Sequence, residues 1–386
     1  MNDTPIESSS IDLSKTVPWN SRERPVKVNS IRYNQDFTLL TLGTSKGYKI
    51  FSIENLKLCH EETEEVYNLG DIYIANTYYR SSLVFLLPSK DNQNLTNKEI
   101  IIFDDFYQTK MGSFKEKKEE IINFFLSKSA IFIITLSKII VMEILTFKII
   151  QVISNINSTL QLLSFNFVDF VAYIKFDNKK NIYINHYLND KLKIVSQTSK
   201  ILVSPYGFIQ MIQLSPSGLL IGILSIYGNK MHIYYSQTGK LKECIYLGPN
   251  IQTIEKMIFS KKENYLLFQK NDNKLYIYKV VKSYANNPKC VCCKYDDKKL
   301  LLALTSKAEK NGMIGLWQKL FSKNDDIKNI HSYGEYEGKL SFINFDESAN
   351  KNKDIILINN NGIFIKYHFG KNRAGKLLPI LSVQWI

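Results

Sequence analysis

Three of the five cysteines, Cys290, Cys292 and Cys293, crowd into the segment KCVCCK of the 386-residue chain. A structural zinc site takes Cys or His pairs from two separated places, and no second cluster stands elsewhere in the sequence. The five histidines, His60, His186, His232, His331 and His368, lie far apart. No nucleophile elbow, phosphate-cradling glycine loop or metal-ligand pair accompanies them, so the sequence nominates no catalytic residue, metal ligand or cofactor site. Gly43 and Gly47 flank Thr-Ser-Lys in YNQDFTLLTLGTSKGYKIF, residues 33–51, which reads as strand, tight turn, strand rather than as a strand-to-helix phosphate loop. Cysteine usage of this kind fits a reduced, cytosolic or nuclear protein.

Binding is a better prospect than catalysis. Fifty Lys and Arg against 36 Asp and Glu give a net charge of +14, which favours anionic partners such as phospholipid surfaces or nucleic acid. A composition merely rich in Lys and Asn produces the same number with no partner at all. The charge is spread along the chain, and the concentrated basic and aromatic stripe of a nucleic-acid groove is missing, which leaves a basic nucleic-acid-binding propeller as the runner-up reading. The start, MNDTPIESSS, lacks the basic and apolar regions of a signal peptide. The longest apolar stretch, Ala130 to Ile153, is interrupted by Lys138, Glu143 and Lys148 and reads as three short strands rather than a membrane span.

Any site must be positioned by β-structure. Residues 1–25 are polar and Ser-rich with Pro5, Pro18 and Pro25, and are expected to be flexible. From Val26 onward short apolar and aromatic runs follow one another with almost no helical periodicity, predicting an all-β domain over 26–386. A lone hairpin such as residues 33–51 has one face to bury and two edges to pair, so the unit must be repeated or covered. It is repeated: the endings KIFSI, IIIFDD, IIVMEI, IYINHY, HIYYSQTG, LYIYKV and IFIKYHF recur at roughly 40 to 50 residues, the spacing of propeller blades. Seven endings predict a seven-bladed β-propeller whose WD-type repeats are degenerate, since no blade carries the Gly-His and Trp-Asp signature.

The motif YNQD followed by LGTSKGYKIF resembles the first blade of the PROPPINs, the WIPI-type propellers that bind phosphoinositides in autophagy. RSSLVFLL at Arg80 to Leu87, LSPSGLLIGILSIYGNKMHIYYSQTGK at Leu214 to Lys240 and INNNGIFIKYHF at Ile358 to Phe369 are similar to the family's second, fifth and last blades. The resemblance implies a non-enzymatic adaptor recruited to membranes bearing phosphatidylinositol 3-phosphate, with autophagy-type protein partners docked on blade edges. It further implies a cytoplasmic protein that sits peripherally on autophagic or endosomal membranes.

The family signature is Phe-Arg-Arg-Gly after the fifth-blade Thr-Gly turn, its two arginines gripping headgroup phosphates through planar, permanently charged forks. Counted from Thr238 and Gly239, the equivalent place reads Ile245, Tyr246, Leu247, Gly248, and no arginine occurs between Arg80 and Arg373. In the same register Ser225 stands where the family has a headgroup-contacting Ser, Asn229 replaces a Thr, Pro205 a His, Tyr276 a His and Lys256 a Ser. His232, Lys240, Lys242 and Lys256 are near enough in sequence to add scattered charge, or are simply solvated. The expectation is a degenerate pocket with specific headgroup recognition weakened or lost; a divergent pocket that still binds phosphoinositide is the alternative.

The family also carries a long blade-six loop that inserts into the bilayer. Here about 282–338 is the longest stretch without blade pattern. Within it Met313, Leu316, Trp317, Leu320 and Phe321 fall at helical spacing, forming an apolar stripe beside Lys319 and Lys323. Such a stripe suits peripheral contact with an anionic membrane, and equally suits packing on the propeller side or serving as the outer strand of blade six.

Overall fold

The aromatic and β-branched runs of the sequence form strands because their side chains fit a pleated surface buried on both faces. The computed structural model describes residues 26–386 apart from 55–56, 64–68, 176–180, 191–192, 203–208, 226–229, 248–252, 271–274, 281–299, 307–331, 337–339, 346–353, 360–362, 369–378 and 385–386. The strands form seven sheets, at 28–63, 72–115, 121–154, 163–202, 209–246, 254–336 and 340–384. Each sheet is an antiparallel meander of four strands, and the sixth carries a fifth strand. They are the blades of the propeller. All seven aromatic endings noted in the sequence fall on third strands: Gly47–Ser52, Glu99–Asp104, Lys138–Glu143, Asn181–Asp190, Lys230–Tyr235, Leu275–Lys279 and Ile363–His368.

The core lies between neighbouring blades. Tyr48, Ile72, Val84 and Phe103 join blades 1 and 2, and Phe85, Phe124 and Ile131 join blades 2 and 3. Phe132, Leu163 and Tyr187 link blades 3 and 4; Phe170, Ile212 and Ile223 link 4 and 5; Leu224, Ile245, Met257 and Phe268 link 5 and 6. Tyr33, Leu40, Leu42 and Phe51 of blade 1 pack with Ile356 and Ile358 of blade 7, joining the first blade face to face with the last. Each fully buried Leu, Ile or Phe contributes about 1.5–3 kcal/mol.

First strands are innermost, and those of blades 1 and 2, 4 and 5, and 5 and 6 touch one another beside the axis. In blades 1, 2, 5, 6 and 7 the first strand carries a bulge at its start, leaving Asn29, Tyr73, Gln210, Glu255 and Ser341 out of register. A bulge of this kind bends and twists the strand, here at the same place in blade after blade. Gly43 sits on the second strand of blade 1 and backs onto blade 2. A Cβ there would stand 2.9 Å from the carbonyl oxygens of Ile72 and Tyr73, so only glycine permits that approach. The turn itself is made by Gly47, at φ +117°.

A belt of polar links runs through the turns that follow the first strands. Asn34 Nδ2 donates to Tyr79 O at 2.9 Å, Tyr78 OH to Lys128 O at 2.9 Å, and Ser129 N and Oγ to the Asp169 carboxylate at 2.8 Å each. Asn166 Nδ2 donates to Ser215 O at 3.2 Å and Ser217 N to Glu263 Oε1 at 3.1 Å. Blades 1 to 6 are thus stitched one to the next.

The stretch 282–338, which carries no blade pattern in the sequence, holds two strands. Leu300–Ser306 pairs antiparallel with Leu275–Lys279 as the outer strand of blade 6, and Ser332–Tyr336 runs parallel beyond it. The outer strand is therefore supplied by residues other than the Met313 to Phe321 stripe.

Candidate functional site

The sequence directs attention to the outer part of blades 5 and 6, where the resemblance sets Tyr246 and Leu247 in place of two arginines. The hairpin that fixes their register closes at Gly239, in the left-handed region at φ +65°, with Gly239 N donating to Tyr235 O at 2.9 Å. From there the outer strand Leu241–Tyr246 pairs with the third strand, Ile245 opposite Met231 and Tyr246 opposite Lys230. Alternation along a strand then decides which residues look inward. Ile245 and Leu247 are of one parity, and both are buried in the apolar cluster between blades 5 and 6, with Met231, Ile254 and Phe268. Leu247 is only 7% exposed. The position that the resemblance assigns to the second arginine belongs to the core, and its side chain offers no donor to a phosphate.

The remaining pocket residues are poor in charge. Ser225, buried, ends the second strand opposite Ile209. His232, also buried, lies opposite Ile223 and Cys244 on the third strand. Burial, and then the positive charge of Lys230, hold its imidazole below the usual histidine range, so it is neutral at pH 7 and adds no cation. Tyr276 is buried in the same inter-blade cluster, with the Lys270 ammonium 4.2 Å from its ring centroid, a cation–π contact. Lys242, on the outer strand, stands 5.9 Å from the ring centre of Tyr235.

Lys256 is placed elsewhere. It sits on the first strand of blade 6, next to the axis, within electrostatic reach of Arg32 of blade 1. Strand parity sets Ser225 and His232, in line with Ile223, on the face of blade 5 toward blade 4, whereas Leu247 and Tyr276 lie in the cluster between blades 5 and 6, and Lys256 stands apart from both groups. Asn229 and Gly248 lie outside the described residues, as do Met313, Leu316, Trp317, Leu320 and Phe321 of the loop and Cys290, Cys292 and Cys293. Among the described residues no group of three or more His, Cys, Asp or Glu side chains is placed to hold a metal ion, and no helix is long and apolar enough to cross a membrane.

A second surface escapes the sequence reading. Phe106 and Tyr107, 75% and 72% exposed, project from the turn before the outer strand of blade 2, their rings 5.0 Å apart edge to face. Met111 on that outer strand is exposed, as are Leu145, Phe147, Ile149 and Val152 on the turn and outer strand of blade 3. Apolar side chains clustered on neighbouring blades mark an interaction surface more than scattered ones do. No periodic signal announced it, because each residue merely breaks a polar turn or strand.

The fold defines a class, the seven-bladed β-propeller. No protein-family profile matches the chain. It is 30% identical over 78 residues to SVP1-like protein 2 of Schizosaccharomyces pombe, covering 20% of this chain and 21% of that protein. It is 22% identical over 267 residues to autophagy-related protein 18 of Dictyostelium discoideum, covering 67% and 66%. The matched regions thus span less than two thirds of either relative. Among solved structures, Kluyveromyces lactis Hsv2 superposes with a TM-score of 0.68 at 14% identity, covering 93% of this chain and 99% of that one. KlAtg21, solved in complex with the coiled-coil of AgAtg16, superposes with a TM-score of 0.63 at 13% identity, covering 93% and 100%. By sequence and by fold the chain is similar to these proteins, and the resemblance sets Tyr246 and Leu247 where the PROPPIN signature has its two arginines.

Proposed function

We propose that the protein is a non-enzymatic propeller adaptor of the autophagy type, which docks protein partners on its blade edges at membranes and has given up specific recognition of phosphatidylinositol 3-phosphate. The observation that carries this reading is Leu247, buried between blades 5 and 6 where a phosphate-binding arginine would stand. Tight capture of a multiply charged headgroup depends on charge-assisted hydrogen bonds, and a leucine in an apolar cluster supplies none. His232, kept neutral, does not compensate. What membrane contact remains would come from the net charge of +14 and from the Met313 to Phe321 stripe, both indifferent to headgroup identity.

The protein-docking half of the proposal draws support from the exposed apolar rim of blades 2 and 3 and from the solved complex of KlAtg21 with a coiled-coil segment. The test is affinity capture of purified coiled-coil segments of autophagy proteins by the full chain and by a Phe106→Asp, Leu145→Asp variant. Both side chains are more than 70% exposed, so the variant is expected to keep the parent's thermal midpoint and lose capture at least tenfold. Equal capture by parent and variant would remove the rim from the account.

A further inference from the structure

The central channel of this propeller is closed at one end. Phe37, in the turn of blade 1, meets Phe167, in the turn of blade 4, edge to face at 5.0 Å. In a ring of seven, blades 1 and 4 stand on opposite sides, so this contact crosses the axis. Phe125 of blade 3 stacks on Phe167 at 5.1 Å, and the Lys261 ammonium of blade 6 lies 5.4 Å from the Phe37 ring centre. Phe37 adopts φ +62°, an unfavourable backbone state for an aromatic residue, held here by the packing of the plug.

Arg32, two strand-residues before that turn, reaches from blade 1 to blade 3, where its Nη2 donates to Asn123 Oδ1 at 2.8 Å. Among the described residues no carboxylate ion-pairs with Arg32, and the charge partner that bears on it is the Tyr73 hydroxyl of blade 2. A guanidinium has five N–H donors, and one is spent on Asn123. Lys256, from the first strand of blade 6, brings a second cation into the same field, with Glu255 as the acidic group bearing on it. Burial pushes both groups below their ordinary ranges, and each side chain is half-buried rather than fully enclosed. Like charges gathered where protein excludes bulk water repel strongly and attract an anion just as strongly. Desolvation makes the burial of a guanidinium at the axis costly unless something compensates it.

We infer that the central channel is an anion-binding well, plugged by Phe37 and Phe167 and floored by Arg32, Lys256 and Asn123, which takes a compact polyvalent oxyanion of the phosphate class. Arg32 supplies the planar fork and Lys256 the point charge. The site is distinct from the rim pocket of blades 5 and 6 and from any docking on blades 2 and 3.

The test is calorimetric titration of the full chain with inorganic pyrophosphate at fixed ionic strength. Saturable binding of one anion per chain is expected, weakened at least tenfold by Lys256→Met and by Arg32→Gln and unchanged by Lys242→Met on the rim. Should Arg32→Gln fail to fold, Lys256→Met carries the comparison. Non-saturable binding, or binding that Lys256→Met leaves intact, overturns the inference. A second arm uses vesicles carrying phosphatidylinositol 3-phosphate with pyrophosphate as competitor. Capture that is unaffected by pyrophosphate and by Lys256→Met supports a free anion as the occupant, whereas capture lost under both supports the same well with a lipid headgroup as its source.

Discussion

Restoring arginine at position 247 should damage the fold rather than rebuild a lipid site. Leu247 is 7% exposed and packs with Ile245, Met231 and Phe268 between blades 5 and 6. Leu247→Arg forfeits about 1.5–3 kcal/mol of apolar burial. It also forces a guanidinium into a cluster that offers no carboxylate, a situation that costs about 3–5 kcal/mol when a buried charge is left uncompensated. Because a long Arg stem near a strand end can snorkel outward, part of that sum is relieved, and a net loss of about 3–5 kcal/mol is the expectation. Tyr246→Arg, at the residue paired with Lys230, should cost only about 0.2–1 kcal/mol from like charges across the strands. Urea unfolding followed by circular dichroism of the strands reads both, at unchanged slope. A Leu247→Arg protein that unfolds within about 1 kcal/mol of the parent and gains headgroup-dependent vesicle capture would show that position 247 faces a competent pocket, and the reasoning would fail.

Two further perturbations address the polar belt and the titration of the core. Asp169→Ala strands Ser129 N and Ser129 Oγ, both buried, while Ser127 Oγ can turn to Ala130 O at 2.8 Å; a loss of about 2–5 kcal/mol is expected in urea, and an Asp169→Ala protein as stable as the parent would show that the belt contributes nothing. The Tyr173 phenol is pushed up to about 12, by burial first and then by Tyr183, against the Asn185 hydrogen bond that lowers it. Unfolded phenols ionise near pH 10, so the neutral form favours the folded state and the stability it supports is full below about pH 10 and lost as pH rises toward 12. Ultraviolet titration should show this tyrosine ionising late and together with loss of structure; free ionisation near pH 10 would contradict its burial.

Much of the architecture was legible because third strands carry an aromatic, alternating pattern seven times over, and every one of those segments became a third strand. The outer strand of blade 6 was not, since Leu300–Ser306 is remote in sequence from the strand it pairs with and its apolar run has no turn signal tying it to Leu275–Lys279. For the site, the Thr238-Gly239 turn gave the register of Tyr246 and Leu247, but only strand parity and the neighbouring blade show that Leu247 looks into the core. Lys256 is the clearest displacement: linear counting sets it beside the rim pocket, whereas a first strand carries it to the axis. Arg32 and Asn123 lie 91 positions apart and meet only because the ring closes.

The central claim, that the propeller persists while headgroup specificity does not, is tested most directly by vesicle flotation of the full chain. Vesicles carrying phosphatidylinositol 3-phosphate are compared with vesicles of equal surface charge made with phosphatidylserine. Equal capture of the two, falling together as salt is raised, is the predicted result. Capture that strongly prefers phosphatidylinositol 3-phosphate and survives added salt would contradict the account.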